Sequence, residues 1–237
     1  MGPNYAWHID GYDKLKPWGF PVHGGIDGYS RRVLWLNVTR SNNAPDNIAC
    51  FYLDSMVAVI QAFFRDYTEA HRYVSSPRNQ RIEGLWSQLC KQRSCWWRNF
   101  FKDLESAGEI HTTSEIKMEA LWFAFSKIIQ DDLDRVKEHW NTHRIRKSKF
   151  QTVAGRPDSL YFLPEETYTL DCKQEISQNE FRDVSENVVV REYANEYTEY
   201  FNYLLEDNNI QSPNDWGSAL ELYRFILSVC QLIKTFS

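Results

Sequence analysis

Apolar and polar positions along the chain keep first a strand rhythm and then a helical one. Ala6-Trp7-His8-Ile9-Asp10, Val22 to Asp27 and Arg32 to Val38 are short apolar runs, and the last is β-branched and aromatic. Polar turns separate them, and Gly28-Tyr29-Ser30-Arg31 is a short link of this kind, so the three runs predict an antiparallel meander. After Pro45 the residues Ile48, Phe51, Tyr52, Met56, Val59, Ile60, Phe63 and Phe64 recur at steps of three and four, which predicts one helix or two helical pieces run together. Ser75-Ser76-Pro77 reads as a helix start. The helix it opens carries Ile82, Leu85, Trp86, Leu89, Trp96, Trp97, Phe100, Phe101 and Leu104 on one broad face and stops near Gly108. Another long helix is predicted from Glu115 to Trp140, with Met118, Leu121, Trp122, Phe125, Ile128, Ile129, Leu133 and Val136 inward. Two more helical patterns follow, one through Tyr193, Tyr197, Tyr200, Phe201 and Leu204, the other from Trp216 to Ile233.

Composition narrows the class. The chain has 237 residues, 43% hydrophobic, enough for one substantial core. No run approaches the roughly 18 apolar residues of a membrane span, and the start lacks a secretory pattern, so an intracellular protein is expected. The cysteines at 50, 90, 95, 172 and 230 are odd in number and are expected to be reduced and buried. Asn37-Val38-Thr39 is read accordingly as strand and not as a glycan site. The net charge of -5 is unevenly spread. Residues 1–159 hold 22 Lys+Arg against 18 Asp+Glu, a net of +4; residues 160–207 hold 3 against 12, a net of -9. A mildly basic front that can meet a polyanion is followed by an acidic segment that cannot.

Strands first and helices afterwards, with an aspartate at the end of the first strand and a glutamate early in a later helix, is the layout of a ribonuclease-H-like nuclease core. Three motifs make the likeness specific: His8-Ile9-Asp10-Gly11-Tyr12-Asp13-Lys14-Leu15, Gly25-Ile26-Asp27-Gly28-Tyr29-Ser30-Arg31, and Ser75-Ser76-Pro77-Arg78-Asn79-Gln80-Arg81-Ile82-Glu83-Gly84-Leu85-Trp86. Trp96-Trp97-Arg98-Asn99-Phe100-Phe101-Lys102-Asp103, Trp140-Asn141-Thr142-His143-Arg144-Ile145-Arg146 and Gly155-Arg156-Pro157-Asp158 follow in order. Over residues 1 to about 165 the chain resembles the integrase core domain of animal mobile elements, related to retroviral integrases.

The resemblance implies a DDE-type enzyme in which two aspartates and a glutamate hold two divalent cations, Mg²⁺ or Mn²⁺. Two hard cations about 4 Å apart clamp the attacking and leaving oxygens of a phosphodiester, and hard cations select carboxylate oxygens. Asp10 maps to the first aspartate and Glu83 to the glutamate, both as metal ligands. Seen alone, an aspartate before Gly-Tyr is a turn residue and a glutamate at the edge of an apolar helical stripe is solvated; only the motifs around them argue otherwise. The strand that should end in the second aspartate is missing. Cys50 to Asp54 looks like the start of the helix before it, and Met56 to Arg65 like the helix after it, so the family pattern breaks at 54/55. Asp54 would lie at the wrong end of any strand made from Val57 to Ile60. Asp66 is too close to Glu83 for the helix and connection that the family places between them.

Other candidates are weaker. Arg78, Arg81, Arg144, Arg146, Lys147 and Lys149, with Arg72 and Arg93, are suited to phosphates, and Trp96 and Trp97 to base stacking; the blander account is a solvated basic face with core tryptophans. His139 and His143 have a zinc-like spacing but no Cys-x-x-Cys, which favours packing or phosphate contact. The expected fold is α/β: residues 1–158 a ribonuclease-H-like core with an incomplete mixed sheet and long helices, residues 159–237 an acidic, mainly helical extension. The expected function is integrase-derived, related to metal-dependent DNA strand transfer but catalytically weak or inactive. The alternative is a domesticated nucleic-acid-binding or protein-interaction module without catalysis. DNA is the expected partner, a homo-oligomer is left open, and the substrate class implies the nucleus.

Overall fold

A computed structural model describes residues 2–42, 44–57, 79–147, 153–172, 182 and 195–236. Strands β1 (Trp7–Tyr12), β2 (Val22–Asp27) and β3 (Val33–Val38) form the expected meander, in the order β1-β2-β3, with Asp10 opposite Gly24 and Gly24 opposite Leu36. The register shifts between Gly25 and Ile26, where β3 holds one residue more than β2. The bulge breaks the simple alternation of side chains. Val33 and Leu36 join the main core on one face, while Leu34 and Trp35 join Tyr161 on the other, with Trp7, Ile9 and Phe51 packed against them.

Helix α1 (Pro45–Val57) begins at Pro45 and crosses Asp54–Ser55 without interruption. Its Phe51 stacks on His23 of β2 at 6.0 Å. The predicted helix start at Ser75-Ser76-Pro77 lies outside the described residues. Beyond it the single helix read from the sequence is two, α2 (Gln80–Leu89) and α3 (Cys95–Ser106), joined by a π-helical turn at Cys90–Ser94. The wider turn shifts the phase of the following residues. Trp86 and Trp97 are both buried as a result, and Gly108, at φ 72°, ends the helix. The same turn corrects the expectation that all cysteines are reduced: Cys90 and Cys95, with Cα atoms 4.9 Å apart, are joined as a disulfide.

Helix α4 (Glu115–Thr142) is the scaffold, since it packs on β3 and also carries α5 (Pro157–Phe162), α6 (Glu196–Asp207) and α7 (Trp216–Phe236). Most of its predicted inward residues are buried, and Phe201, Leu204, Leu220, Tyr223 and Ile226 of the tail helices share their core. Two α4 amides serve as substitutes for a neighbouring strand along β3. Asn141 Oδ1 accepts from Val33 N at 2.8 Å while its Nδ2 donates to Val33 O at 3.0 Å. One end of the strand further on, Gln130 Oε1 accepts from Val38 N at 2.9 Å and its Nε2 donates to Leu36 O at 3.1 Å.

The architecture is thus mixed α/β, mainly helical, around a three-stranded antiparallel sheet. A mixed sheet was expected from the sequence. Among the described residues the sheet is antiparallel throughout and no parallel strand lies beside β1, while α1 runs unbroken through 54/55, where the sequence pattern breaks. No described helix is long and apolar enough to cross a membrane.

Two measurements test this account. Asn141→Ala strands the buried Val33 N–H and C=O and should cost about 3 kcal/mol in denaturant unfolding. His23 is 4% exposed, accepts from Trp35 Nε1 at its Nδ1, and burial pushes its pKa from 6.5 down to about 4. Between those values the unfolded chain binds the proton and the folded one does not, so stability falls as pH falls from 6.5 to 4. The loss should approach about 3 kcal/mol, and His23→Gln should flatten the pH dependence of Tm over that window.

Candidate functional site

The site is built where α2 lies across β1. Asn79, at the amino end of α2, does not cap the helix with its side chain but turns it toward the strand. Its Oδ1 meets His8 Nδ1 at 2.7 Å and its Nδ2 donates to Ile9 O at 3.3 Å. Gly28 N–H donates to Ala6 O at 2.8 Å, which sets the phase of the ladder so that the Ile9 carbonyl points away from β2. Asn79 therefore occupies part of the strand edge where a neighbouring strand would pair.

Seven residues on, Trp86 fastens the same helix to Asp10. Its Nε1 donates to Asp10 Oδ2 at 3.1 Å, while Asp10 Oδ1 accepts from Gly11 N at 2.9 Å. The indole has room only because Gly24 faces Asp10: a Cβ there would stand 2.7 Å from Trp86 Cη2. Tyr12 packs on the same ring at 5.2 Å and bonds through its hydroxyl to Ser94 of the π turn at 2.7 Å. Glu83 lies four residues after Asn79 and three before Trp86, hence on their side of the helix, half-buried at the edge of the apolar stripe. The two carboxylates singled out in the sequence thus stand on elements that two side-chain anchors hold together. Among the described residues no group of three or more His, Cys, Asp or Glu side chains is placed to hold a metal. Asp54 falls within α1, and Asp66 lies outside the described residues.

The basic candidates separate. Arg144, Arg146 and Lys147 are exposed where the chain leaves α4, beside the Ile145–Gly155 bridge; Arg72, Arg78 and Lys149 lie outside the described residues. Arg93 pairs with Asp132 at 3.6 Å. Arg81 is half-buried in the first turn of α2; burial, and after it the charge of Arg81, push the Arg31 guanidinium down to about 10. Trp97 is a core residue whose Nε1 donates to Asp132, whereas Trp96 is 45% exposed. His139 and His143 stack 6.5 Å apart, and His143 Nδ1 is bonded to Trp140 O, a packing arrangement.

Four determinants were not read from the sequence as such. Trp86 was one apolar residue of a stripe, Asn79 a letter in a motif, and Gly24 part of a run. The available signal was the glycine pair 24–25 inside a strand, since glycine there marks close approach by another group. Asp27 is the fourth: fully buried, it accepts from Asn4 N, Tyr29 N, Ser30 N and Ser30 Oγ, and burial raises its pKa while those bonds oppose the rise. It shapes the β2–β3 turn.

An α/β core with one carboxylate on the first strand and another on a crossing helix is the class defined by this geometry. A family model described as integrase core domain matches residues 1–61 and 54–163. The chain belongs to the integrase core domain family, and its function is related to that of integrases in DNA integration. No curated protein and no solved structure matches it.

The anchoring can be tested by a pair of glycine substitutions. Gly24→Ala must displace the buried Trp86 ring and should destabilise by about 1–3 kcal/mol. Gly84→Ala, with nothing within 4 Å of the new methyl and a helical backbone around it, should stabilise by up to about 1 kcal/mol. Chemical denaturation of both variants checks the contrast.

Proposed function

We propose that this chain is an integrase-derived core of ribonuclease-H-like descent that binds DNA and has weak or no strand-transfer activity. The observation that carries the reading is the Trp86–Asp10 bond, which ties the first-strand aspartate to the helix bearing Glu83 in a chain of the integrase core family. Two features support the loss of the middle carboxylate. Helix α1 runs unbroken through Asp54–Ser55, and the family match comes in two stretches that overlap at 54–61.

In such an enzyme the cations would bring the attacking oxygen to the phosphorus and stabilise the leaving one. The residues described here do not fit a complete two-metal centre, since Asp10 and Glu83 are two carboxylates where the chemistry calls for three. Asp10 also has both oxygens engaged by N–H donors. Losing a ligand of this kind forfeits about 4 kcal/mol of transition-state stabilisation, close to a thousandfold in rate. A mildly basic front domain remains able to hold a nucleic acid backbone.

The test pairs binding with chemistry. Duplex DNA should bind with a salt-dependent affinity that persists in EDTA and in Asp10→Asn, and strand transfer with Mn²⁺ should be at background. Robust strand transfer abolished by Asp10→Asn would overturn the loss of catalysis. Absence of DNA binding at low salt would overturn the reading as a whole.

A further inference from the structure

The bridge between Cys90 and Cys95 sits in an unusual place for a structural staple. Five residues apart in sequence, the two cysteines bound the π-helical turn between α2 and α3, with their Cα atoms 4.9 Å apart. Helical backbone already runs through the whole stretch. A bridge that closes so short a loop also removes less freedom from the unfolded chain than one that closes a long loop. Holding the chain together is therefore a minor part of what it does.

Its surroundings suit exchange. Both cysteines are half-buried, and Lys91, Gln92 and Arg93 between them are exposed, so the bridge lies at the surface, where a small thiol can approach. Lys91 stands in no ion pair among the described residues, and Arg93, its side chain 51% exposed, lies 3.6 Å from Asp132. Positive charge within the loop favours the thiolate, the form in which a sulfur attacks and leaves. A thiolate of the glutathione class attacks one sulfur, the S–S bond breaks, and the other sulfur leaves as a thiolate that takes a proton from water. A second thiolate of the same class then releases the first cysteine. Two electrons pass to the pair, and the reductant departs as its own disulfide.

The bridged loop also touches the candidate site. Ser94, inside the loop and 3% exposed, shares a hydrogen bond of 2.7 Å with the hydroxyl of Tyr12 on β1. Tyr12 packs on Trp86, and Trp86 donates to Asp10. The shape of the loop thus bears on how α2 lies against the first strand. We propose that Cys90 and Cys95 are a redox-active pair that exchanges with thiols of the glutathione class, and that the bridged state holds α2 on β1 more firmly than the open one. Neither part depends on DNA binding.

The full chain is equilibrated in glutathione buffers from strongly reducing to strongly oxidising and quenched in acid, and peptide mapping after thiol labelling reads Cys90 and Cys95. The pair should pass from open to bridged in one step, both cysteines changing together. A bridge that survives the most reducing buffer, or that never forms in the most oxidising one, would overturn exchange. Hydrogen exchange of the peptides that cover β1 and α2 is then compared in the two states. Opening should speed it about tenfold in both. The Cys90→Ser/Cys95→Ser double variant should match the open state in either buffer. In Ser94→Ala, which keeps the bridge but loses the bond to Tyr12, β1 should exchange alike in both buffers, and a persisting difference would overturn the route through Tyr12. Equal exchange of β1 in the two states of the parent chain would overturn the coupling. Global unfolding on opening would make the bridge a staple after all and overturn both parts.

Discussion

A sheet of three strands has two open edges and only one central strand, and its outer N–H and C=O groups must be satisfied if the sheet is to be buried. Here the solution at β3 is a pair of amides from one helix. Asn141 and Gln130 each present an acceptor and a donor to the strand, as a neighbouring strand would. The bonds fix where α4 lies, and α4 in turn receives α5, α6 and α7. At β1 the side chain of Asn79 takes the Ile9 carbonyl, and Asp10 takes the Gly11 N–H. The core is thereby closed without a fourth strand among the described residues.

That closure has a direct consequence for the carboxylates. In a larger sheet β1 would be interior and Asp10 would be positioned by strands on either side. Here its position depends on a helix. Trp86 reaches Asp10 across Gly24, and the depth of the indole in the core sets the distance of α2 from the strand. Glu83 follows, because three residues separate it from Trp86 and four from Asn79. The geometry of the pair is therefore a property of packing at the β1–α2 contact, so a change as small as one methyl at residue 24 bears on it.

Much of this was legible in the sequence, for identifiable reasons. The meander followed from three apolar runs, the long α4 from its period of three and four, and the tail helices from theirs. Asp10 and Glu83 were singled out by motif order alone, since neither has a signal of its own, and the structure adds that they stand on elements fastened together. What was not legible depends on distant partners. Nothing local indicates that Asn141 pairs with a strand 108 residues away in sequence, or that Trp86 is both core and hydrogen-bond donor. The π turn was invisible because a stripe with one phase shift still looks apolar throughout. The disulfide follows from that turn, since Cys90 and Cys95 are brought to 4.9 Å by local backbone geometry and not by spacing alone. The bulge in β3 was similarly hidden, and it decides which of Val33 and Leu34 enters the main core.

Arg81 and Glu83 stand two residues apart on α2, and on a helix such residues face different ways. Glu83 lies on the side shared with Asn79 and Trp86, and Arg81 does not. One helix thus carries a basic residue and a carboxylate on different sides, and the side of the carboxylate is the one that Asn79 and Trp86 fasten to β1. On the proposed reading, a core that lacks a strand beside β1 lacks the third carboxylate with it, while the amide-capped sheet edge and α4 do not depend on that strand. In such a core chemistry would be the first property lost, whereas attachment to a polyanion would not need the missing strand.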